Sequence, residues 1–373
     1  MKVMTQNNFK QTEIGEIPRD WDVVPFGDFA TLQRGYDLPV QSREKGAVPI
    51  IGSNGVVGYH KVGMCSGPGV ITGRSGTIGL SVYQETDYWP LNTSLYVSDF
   101  HGNNPLFVHF FFRHFNFKKY AGGVSVPTLN RNMVYSALVS IPKIDEQEKI
   151  ADMLAKMQQA VENQKKIVSG LRELKATTIA KLFREGLSGE PHKDTEIGEI
   201  PGSWDVKTFG EFVTLQRGHD LPVQMREPGD IPVIGSNGVV GRHKVGAYKG
   251  PGVLTGRSGT IGLSFYVAGE YWPLNTALFV ADFHRNNPRF VHYFFQQFNF
   301  KKYSGGVSVP TLNRNLVHSA VVAFPKLNEQ QDIARILSKI DESIAQSRSK
   351  LQNMQNLFSS TLNQLMTGKV RIC

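Results

Sequence analysis

Thr12-Glu13-Ile14-Gly15-Glu16-Ile17-Pro18, with Trp21 behind it, returns later in the chain as Thr195-Glu196-Ile197-Gly198-Glu199-Ile200-Pro201, with Trp204 behind it. The same offset of 183 residues carries Leu32-Gln33-Arg34-Gly35 onto Leu215-Gln216-Arg217-Gly218 and Thr72-Gly73-Arg74-Ser75-Gly76 onto Thr255-Gly256-Arg257-Ser258-Gly259. It also places Val126-Pro127-Thr128-Leu129-Asn130-Arg131 on Val309-Pro310-Thr311-Leu312-Asn313-Arg314. No gap is needed, and roughly seven positions in ten are identical, over a period far longer than the 20 to 50 residues of a solenoid unit. The chain is a duplicated domain.

Each copy changes texture part-way. The first 130 or so residues are short β-branched runs broken by glycine, as in Val48-Pro49-Ile50-Ile51-Gly52-Ser53-Asn54-Gly55 and Gly69-Val70-Ile71-Thr72-Gly73, which read as strands and turns. Asn54-Gly55 is a hairpin-turn dipeptide. Asn103-Asn104-Pro105 predicts a helix start, a cap followed by proline in the first turn, leading into Phe107, Phe110, Phe111 and Phe115. From Asp145 to about Phe183 there is no proline and one glycine. Apolar residues fall there at Ile150, Met153, Met157, Ala160, Ile167, Leu171 and Leu174, a heptad rhythm with a polar break at Gln164. The second copy has Ile333, Ile336, Ile340, Ile344, Leu351, Met354 and Phe358, with a break near Ser347. Helices of about 35 residues and some 50 Å are expected. Neither buries its stripe alone, so each should pack antiparallel on the other. The expected fold is α+β: two mostly-β domains (1–143 and 191–326) separated by a pair of long antiparallel coiled-coil helices (144–190 and 327–373), pseudo-twofold symmetric.

Forty per cent apolar and 20% charged residues describe a folded chain. No apolar run reaches membrane-span length and the start has no signal-like core, so no membrane partner and a cytoplasmic location are expected. Two cysteines, Cys65 and Cys373, are too few for a disulfide framework or a four-cysteine zinc site. The net charge of +9 is mild, but charge is segregated. Arg34, Arg43, Lys45, Lys61 and Arg74 face only Asp37 and Glu44 in their stretch, Arg113 to Arg131 holds no acid, and Glu13, Glu16, Asp20, Asp22 and Asp28 crowd the first segment. A domain with one basic face suits a phosphate backbone.

The layout resembles the specificity (S) subunits of type I restriction–modification systems over essentially the whole chain. The residues that carry the likeness are Ile14-Gly15-Glu16-Ile17-Pro18 with Trp21, and Ile141-Pro142-Lys143-Ile144-Asp145-Glu146-Gln147-Glu148-Lys149-Ile150-Ala151, each present twice. Ser53-Asn54-Gly55-Val56-Val57-Gly58 and Tyr88-Trp89-Pro90-Leu91-Asn92-Thr93 are similar to the interior of its target-recognition domains. The resemblance implies a non-catalytic subunit in which each recognition domain reads half of a bipartite double-stranded DNA site. It implies that the helices set the spacing and dock two methyltransferase (M) subunits, which use S-adenosylmethionine, and that restriction (R) subunits bring ATP and magnesium. Family members usually carry dissimilar recognition domains. Near copies, set in opposite senses, predict an interrupted near-palindrome as target.

Base reading needs paired donors and acceptors on positioned loops. The candidates are Gln33, Arg34 and Tyr36 (Gln216, Arg217 and His219 in the copy), Ser53 and Asn54 (Ser236 and Asn237), and Arg74 and Ser75 (Arg257 and Ser258). Neighbouring glycines are read as allowing close approach to a phosphate or groove. Asn54 and Asn237 equally suit a plain turn. Lys118, Lys119, Lys301 and Lys302 suit phosphate, and Arg131 and Arg314 suit either a helix start or DNA. The Phe107 to Phe117 segment reads as core, with base stacking the other option. Tyr36 against His219, and Tyr59 against Arg242, mark where the half-sites could differ.

Other chemistries leave weak traces. Asn103-Asn104-Pro105-Leu106-Phe107 lacks the second proline of a methyltransferase motif, and no Gly-x4-Gly-Lys-Ser/Thr loop occurs. Glu173-Leu174-Lys175 imitates a nuclease triplet but becomes Asn356-Leu357-Phe358 in the copy, and of His101, His109 and His114 only the first two recur, as His284 and His292. A stand-alone, repressor-like DNA-binding protein is the competing reading.

Overall fold

The computed structural model describes residues 2–3, 8–123, 127–306 and 310–372. Val126, Val309 and Cys373, quoted above, lie outside them. The chain forms two compact units: residues 1–165 with 349–373, and residues 166–348.

In the first unit a four-stranded antiparallel sheet runs in the order Thr31–Arg34, Ser94–Asp99, Gly69–Gly73, Ser81–Gln84. A smaller sheet pairs Val48–Gly52 antiparallel with Gly55–His60 and parallel with Trp89–Pro90. The hairpin turn is Ser53-Asn54, closed by Gly52 opposite Gly55, one residue earlier than the Asn-Gly reading. Gly55 begins the returning strand at φ +98°, a conformation that side chains disfavour. The second unit repeats both sheets from Thr214–Arg217 onward.

The helix Pro105–His114 starts as expected, with the Asn104 side chain accepting from the Phe107 N–H. Its Phe107, Phe110, Phe111 and Phe112 are buried with Phe26, Phe29 and Phe117, so this segment is core and base stacking is ruled out for it. It packs on the strand Gly69–Gly73 on one side and on helical residues on the other, where Ile150, Ala151 and Leu154 share a core with Phe358, Leu362, Leu365 and Met366. In the second unit, Ile179 and Leu182 share the equivalent core with Ile333, Ala334 and Leu337.

The long helices are Ile144–Glu185 and Leu327–Met366, at 42 and 40 residues longer than expected. The buried stripe of the first also differs from the sequence reading. Leu154, Val161, Gln164 and Val168 are buried and Lys175 is half-buried, while Ile167 and Leu174 are about half exposed. The reading slipped because polar residues stand in the buried stripe. Gln164 is buried and so continues the stripe. Lys175 is neutralised there by Asp341, its Nζ 2.7 Å from the carboxylate, and lies 5.3 Å from the Tyr293 ring. The second stripe is misread only at Ile336, where Leu337 is the buried residue.

Each sheet domain is tied to its helix by one glutamine. Gln147, 2% exposed, donates to Asn103 Oδ1 (2.7 Å) and to the Pro142 carbonyl (3.0 Å), and accepts from the Asn104 N–H (3.0 Å). Gln330 repeats all three bonds with Asn286, Pro325 and Asn287. Beside Gln147, Glu146 accepts from Trp21 Nε1 and from Arg371, which also forks onto Asp20. The glutamine bonds recur in both units, whereas Glu329 accepts from the Leu187 N–H at 2.8 Å and the buried Trp204 Nε1 makes no hydrogen bond among the described residues.

Candidate nucleic-acid interface

The sheet delivers the candidate loops to one edge. Arg34 ends one outer strand opposite Leu95, and Gly73 ends the strand on the other side of Leu95, opposite Ser94. Arg34 and Arg74 therefore leave the sheet on either side of the same strand. The segment Trp89 to Thr93, which feeds that strand, is a hub for all three loops. Its Pro90 carbonyl accepts from the Tyr36 N–H (2.8 Å), its Asn92 N–H donates to the Tyr36 carbonyl (3.0 Å), and its Thr93 carbonyl accepts from Arg74 and Ser75 N–H (2.9 and 3.1 Å). The Leu91 N–H donates to Ile51 at 2.8 Å, joining the Ser53-Asn54 hairpin to the group. Leu129 N–H donates to the Arg74 carbonyl at 2.7 Å, which adds the segment leading to Arg131. The second unit repeats the hub through Pro273, Asn275, Thr276, Leu274 and Leu312.

Two glycines make room for the chain's own backbone rather than for a ligand. A Cβ on Gly35 would lie 2.2 Å from the Leu91 carbonyl oxygen, and one on Gly73 would lie 1.7 Å from that of Thr77. The close approach that the sequence assigned to phosphate is made here by the chain's own backbone.

Arg34 and Asn54 are exposed, while Gln33, Tyr36, Ser53, Arg74 and Ser75 are half-buried. In the second unit Gln216, Arg217, His219 and Asn237 are exposed, and Ser236, Arg257 and Ser258 are half-buried. The Arg74 guanidinium is held from inside, Nε donating to the Asn92 carbonyl at 2.9 Å, as Arg257 does to Asn275 at 2.8 Å. The side chain of Asn92 in turn bonds Asp37, and that of Asn275 bonds Asp220. A guanidinium anchored by Nε keeps its terminal nitrogens for a bidentate contact, the geometry that suits a guanine edge or a phosphate. Burial, and then the positive charge of Arg217 nearby, push Arg257 below the ordinary arginine value, while Asp220 offsets part of this. Two cations are thus concentrated at one edge. Sequence reasoning missed Asp37, Asn92, Asp220 and Asn275. The signal was available, since Asp37-Leu38-Pro39 recurs as Asp220-Leu221-Pro222.

Lys118 and Lys119 are exposed on the short turn Phe117–Tyr120, which joins the cluster through the Asn130 N–H to Tyr120 carbonyl bond (3.3 Å); Lys301 and Lys302 stand on the equivalent turn. Arg131 is exposed, yet its Nη1 reaches the Leu32 carbonyl at 3.2 Å, so it also braces a strand. Arg314 is exposed with no such bond among the described residues. At the next loop, the Tyr36 hydroxyl is 2.9 Å from that of Tyr96, whereas His219 Nε2 is 2.9 Å from the Tyr248 hydroxyl. The histidines read as a cluster go separate ways, His101 to Thr31 and His109 to the buried hydroxyl of Ser81.

Among the described residues, no helix is long and apolar enough to cross a membrane. A family profile described as the type I restriction modification DNA specificity domain matches residues 18–180 and 201–355. The chain is similar to a Methanocaldococcus jannaschii protein provisionally named the type I restriction enzyme MjaX specificity subunit, 24% identical over 98% of this chain and 97% of the relative. It is also similar to the MjaVIII specificity subunit of the same organism, 21% identical over 100% and 98%. In fold it is similar to the crystal structure of a type I restriction–modification S subunit from M. genitalium, with a TM-score of 0.68, 16% identity, and coverage of 98% and 99%.

Proposed function

Because the chain belongs to the family of type I restriction–modification DNA specificity domains, we propose that it is the sequence-reading subunit of such a complex, with each hub-centred loop cluster reading half of a bipartite double-stranded DNA site. The observation that carries this is the duplicated arrangement of Arg34 and Arg74, and of Arg217 and Arg257, on either side of one strand, with Arg74 and Arg257 anchored through Nε. Arg34, Arg74 and their counterparts contact base edges; Gln33, Ser53, Asn54, Ser75 and the equivalent residues assist them. Lys118, Lys119, Lys301 and Lys302 neutralise phosphate, and Arg131 and Arg314 stand at the margin.

The recognition domains are residues 1–143 and 191–326, and the helical segments 144–190 and 327–373 pair antiparallel as a coiled coil with pseudo-twofold symmetry. What supports antiparallel pairing is that Ile150 and Leu154 share a core with Phe358, Leu362 and Leu365 within the first unit while Lys175 meets Asp341 within the second. Residue numbers therefore rise on one helix as they fall on the other. Opposed near copies read an interrupted near-palindrome. Two methyltransferase subunits dock on the helices and methylate with S-adenosylmethionine, and restriction subunits supply ATP- and magnesium-dependent cleavage, all in the cytoplasm. This chain reads and spaces, and its partners react.

The test is to co-express the full chain with its methyltransferase subunit, purify the complex and sequence the methylation it places on random DNA. Co-purification and one interrupted motif with related halves are expected. A chain that purifies alone and binds one uninterrupted operator would support the repressor-like reading instead.

A further inference from the structure

Beneath the Arg34 and Arg217 loops, three equivalent positions differ together. In the first unit Tyr36 packs on a buried group of Ile51, Ile71, Tyr88 and Tyr96, with Cys65 beside it. Its hydroxyl is turned inward, 2.9 Å from the Tyr96 hydroxyl. In the second unit the same positions are His219, Tyr248 and Phe279. Phe279 has no hydroxyl to give. Tyr248, standing where Cys65 stands, supplies one instead, 2.9 Å from His219 Nε2, with the two rings stacked at 5.7 Å and 18°. The Tyr248 ring rests on Phe279 at 4.4 Å. No single exchange converts one arrangement into the other. A phenol at 219 would meet the Tyr248 hydroxyl, and a cysteine at 248 would leave the imidazole without its partner.

The backbone holds this position identically in both units. The N–H of Tyr36 donates to Pro90 and that of His219 to Pro273, each at 2.8 Å, and their carbonyls accept from Asn92 and Asn275, each at 3.0 Å. The units therefore differ here in side-chain chemistry alone. Tyr36 is half-buried with its hydroxyl committed inside, so what it offers outward is an apolar ring edge. His219 is exposed, with one ring nitrogen held by Tyr248 and Nδ1 without a partner among the described residues. Holding one imidazole nitrogen fixes the direction of the other, and Nδ1 is the donor in the tautomer in which the Tyr248 hydroxyl donates to Nε2.

We propose that this three-position exchange, Tyr36–Cys65–Tyr96 against His219–Tyr248–Phe279, sets a base at which the two half-sites differ. An apolar ring edge fits the methyl group of thymine, and an imidazole Nδ1–H fits the N7 acceptor that purines share in the major groove. The half-site read by the second unit carries a purine where that read by the first carries thymine. The inference rests on the reading that each unit reads one half-site.

The experiment uses the full chain in complex with its methyltransferase subunits, and reads the motif methylated on random-sequence DNA. The wild type should yield halves that match except at such a position. The triple variant His219→Tyr, Tyr248→Cys, Phe279→Tyr rebuilds contacts that the first unit already contains and should convert the second half-site into the first. The reverse variant Tyr36→His, Cys65→Tyr, Tyr96→Phe should convert the first into the second, so the inference can be tested even if one variant does not fold. His219→Tyr alone should lose about tenfold in methylation of the wild-type motif, equivalent to about 1.4 kcal/mol, without gaining the other motif. Halves already identical in the wild type, or a folded triple variant that keeps the wild-type motif, would overturn this inference and leave the twin-reader proposal standing. Halves unrelated throughout would overturn the near-palindrome proposal itself.

Discussion

Gln147 donates to Asn103 Oδ1 at 2.7 Å, and Gln330 makes the same bond to Asn286 at the same distance. The pair joins the start of a long helix to the start of the phenylalanine-rich helix in each unit. A reader connected to its helix by flexible chain could not hold a fixed register on a duplex, whereas a buried side chain with three hydrogen bonds can.

Replacing Gln147 or Gln330 by alanine strands buried partners, at about 1–3 kcal/mol for each unsatisfied group. Calorimetry should show a lower melting temperature. Methylation assays on sites with altered gaps should show relaxed discrimination between gap lengths. A stable variant with unchanged gap preference would remove the joint from the account.

Arginines and lysines should separate by what they change. Arg74→Lys or Arg257→Lys removes bidentate geometry and should cost about 1–3 kcal/mol at one base, relaxing preference there. Lys118→Ala and Lys301→Ala should weaken all sequences alike and lower the salt slope by about one each. Titrations of the complex against specific and scrambled duplexes at several salt concentrations distinguish the two patterns.

The position of Lys175 is matched in the first unit by Phe358, whose ring lies 6.2 Å from that of Phe110. Lys175→Ala should destabilise the second unit by about 1–2 kcal/mol, less than a fully buried pair would lose because both partners are partly exposed. Installing the first unit's residues together, Lys175→Phe with Tyr293→Phe and Asp341→Gln, should recover that loss. Denaturant midpoints of the single and combined variants give the coupling.

Burial first, then the charge of Arg113, push His109 down to about 3; burial, then Lys175 and Arg289 against Asp341, push His292 down to about 4. Both rings stay neutral in the fold, while an unfolded histidine protonates near 6.5. Stability from this source is complete above pH 6.5 and falls as pH drops toward 4 and then 3, by about 1.4 kcal/mol per pH unit for each histidine. Urea melts at pH 7.5 and 5 should show the loss, and His109→Gln should shrink it. A stability that is flat across this range contradicts the assignment.

What could be read in advance followed from repetition and local chemistry. The duplicated domain, the Asn104 cap and the phenylalanine core depend on residue type and spacing, and the structure contains all three. The buried stripe of the first helix did not follow, because Gln164 and the ion-paired Lys175 look polar in a string, and apolar Ile167 and Leu174 drew the reading away from it. Gly35 and Gly73 were legible as glycines that something approaches, but their partners, Leu91 and Thr77, lie elsewhere in the chain or across a turn. The Asp37–Asn92 bond joins residues 55 apart, and the dependence of residue 36 on 65 and 96 spans three strands and loops. Such couplings arise from tertiary packing, which a list of residue types does not contain.

The most direct test lengthens the helices and measures the gap. Duplicating the heptad 164–170 in the first helix and 347–353 in the second adds about 10.5 Å at 1.5 Å per residue while preserving the seam. With about 3.4 Å per base pair, sequencing the methylation placed by the altered complex should show unchanged half-sites separated by about three more base pairs. Methylation of the original motif at its original gap, by a complex shown to be folded and assembled, would contradict the claim that the helical segments set how far apart the two readers stand.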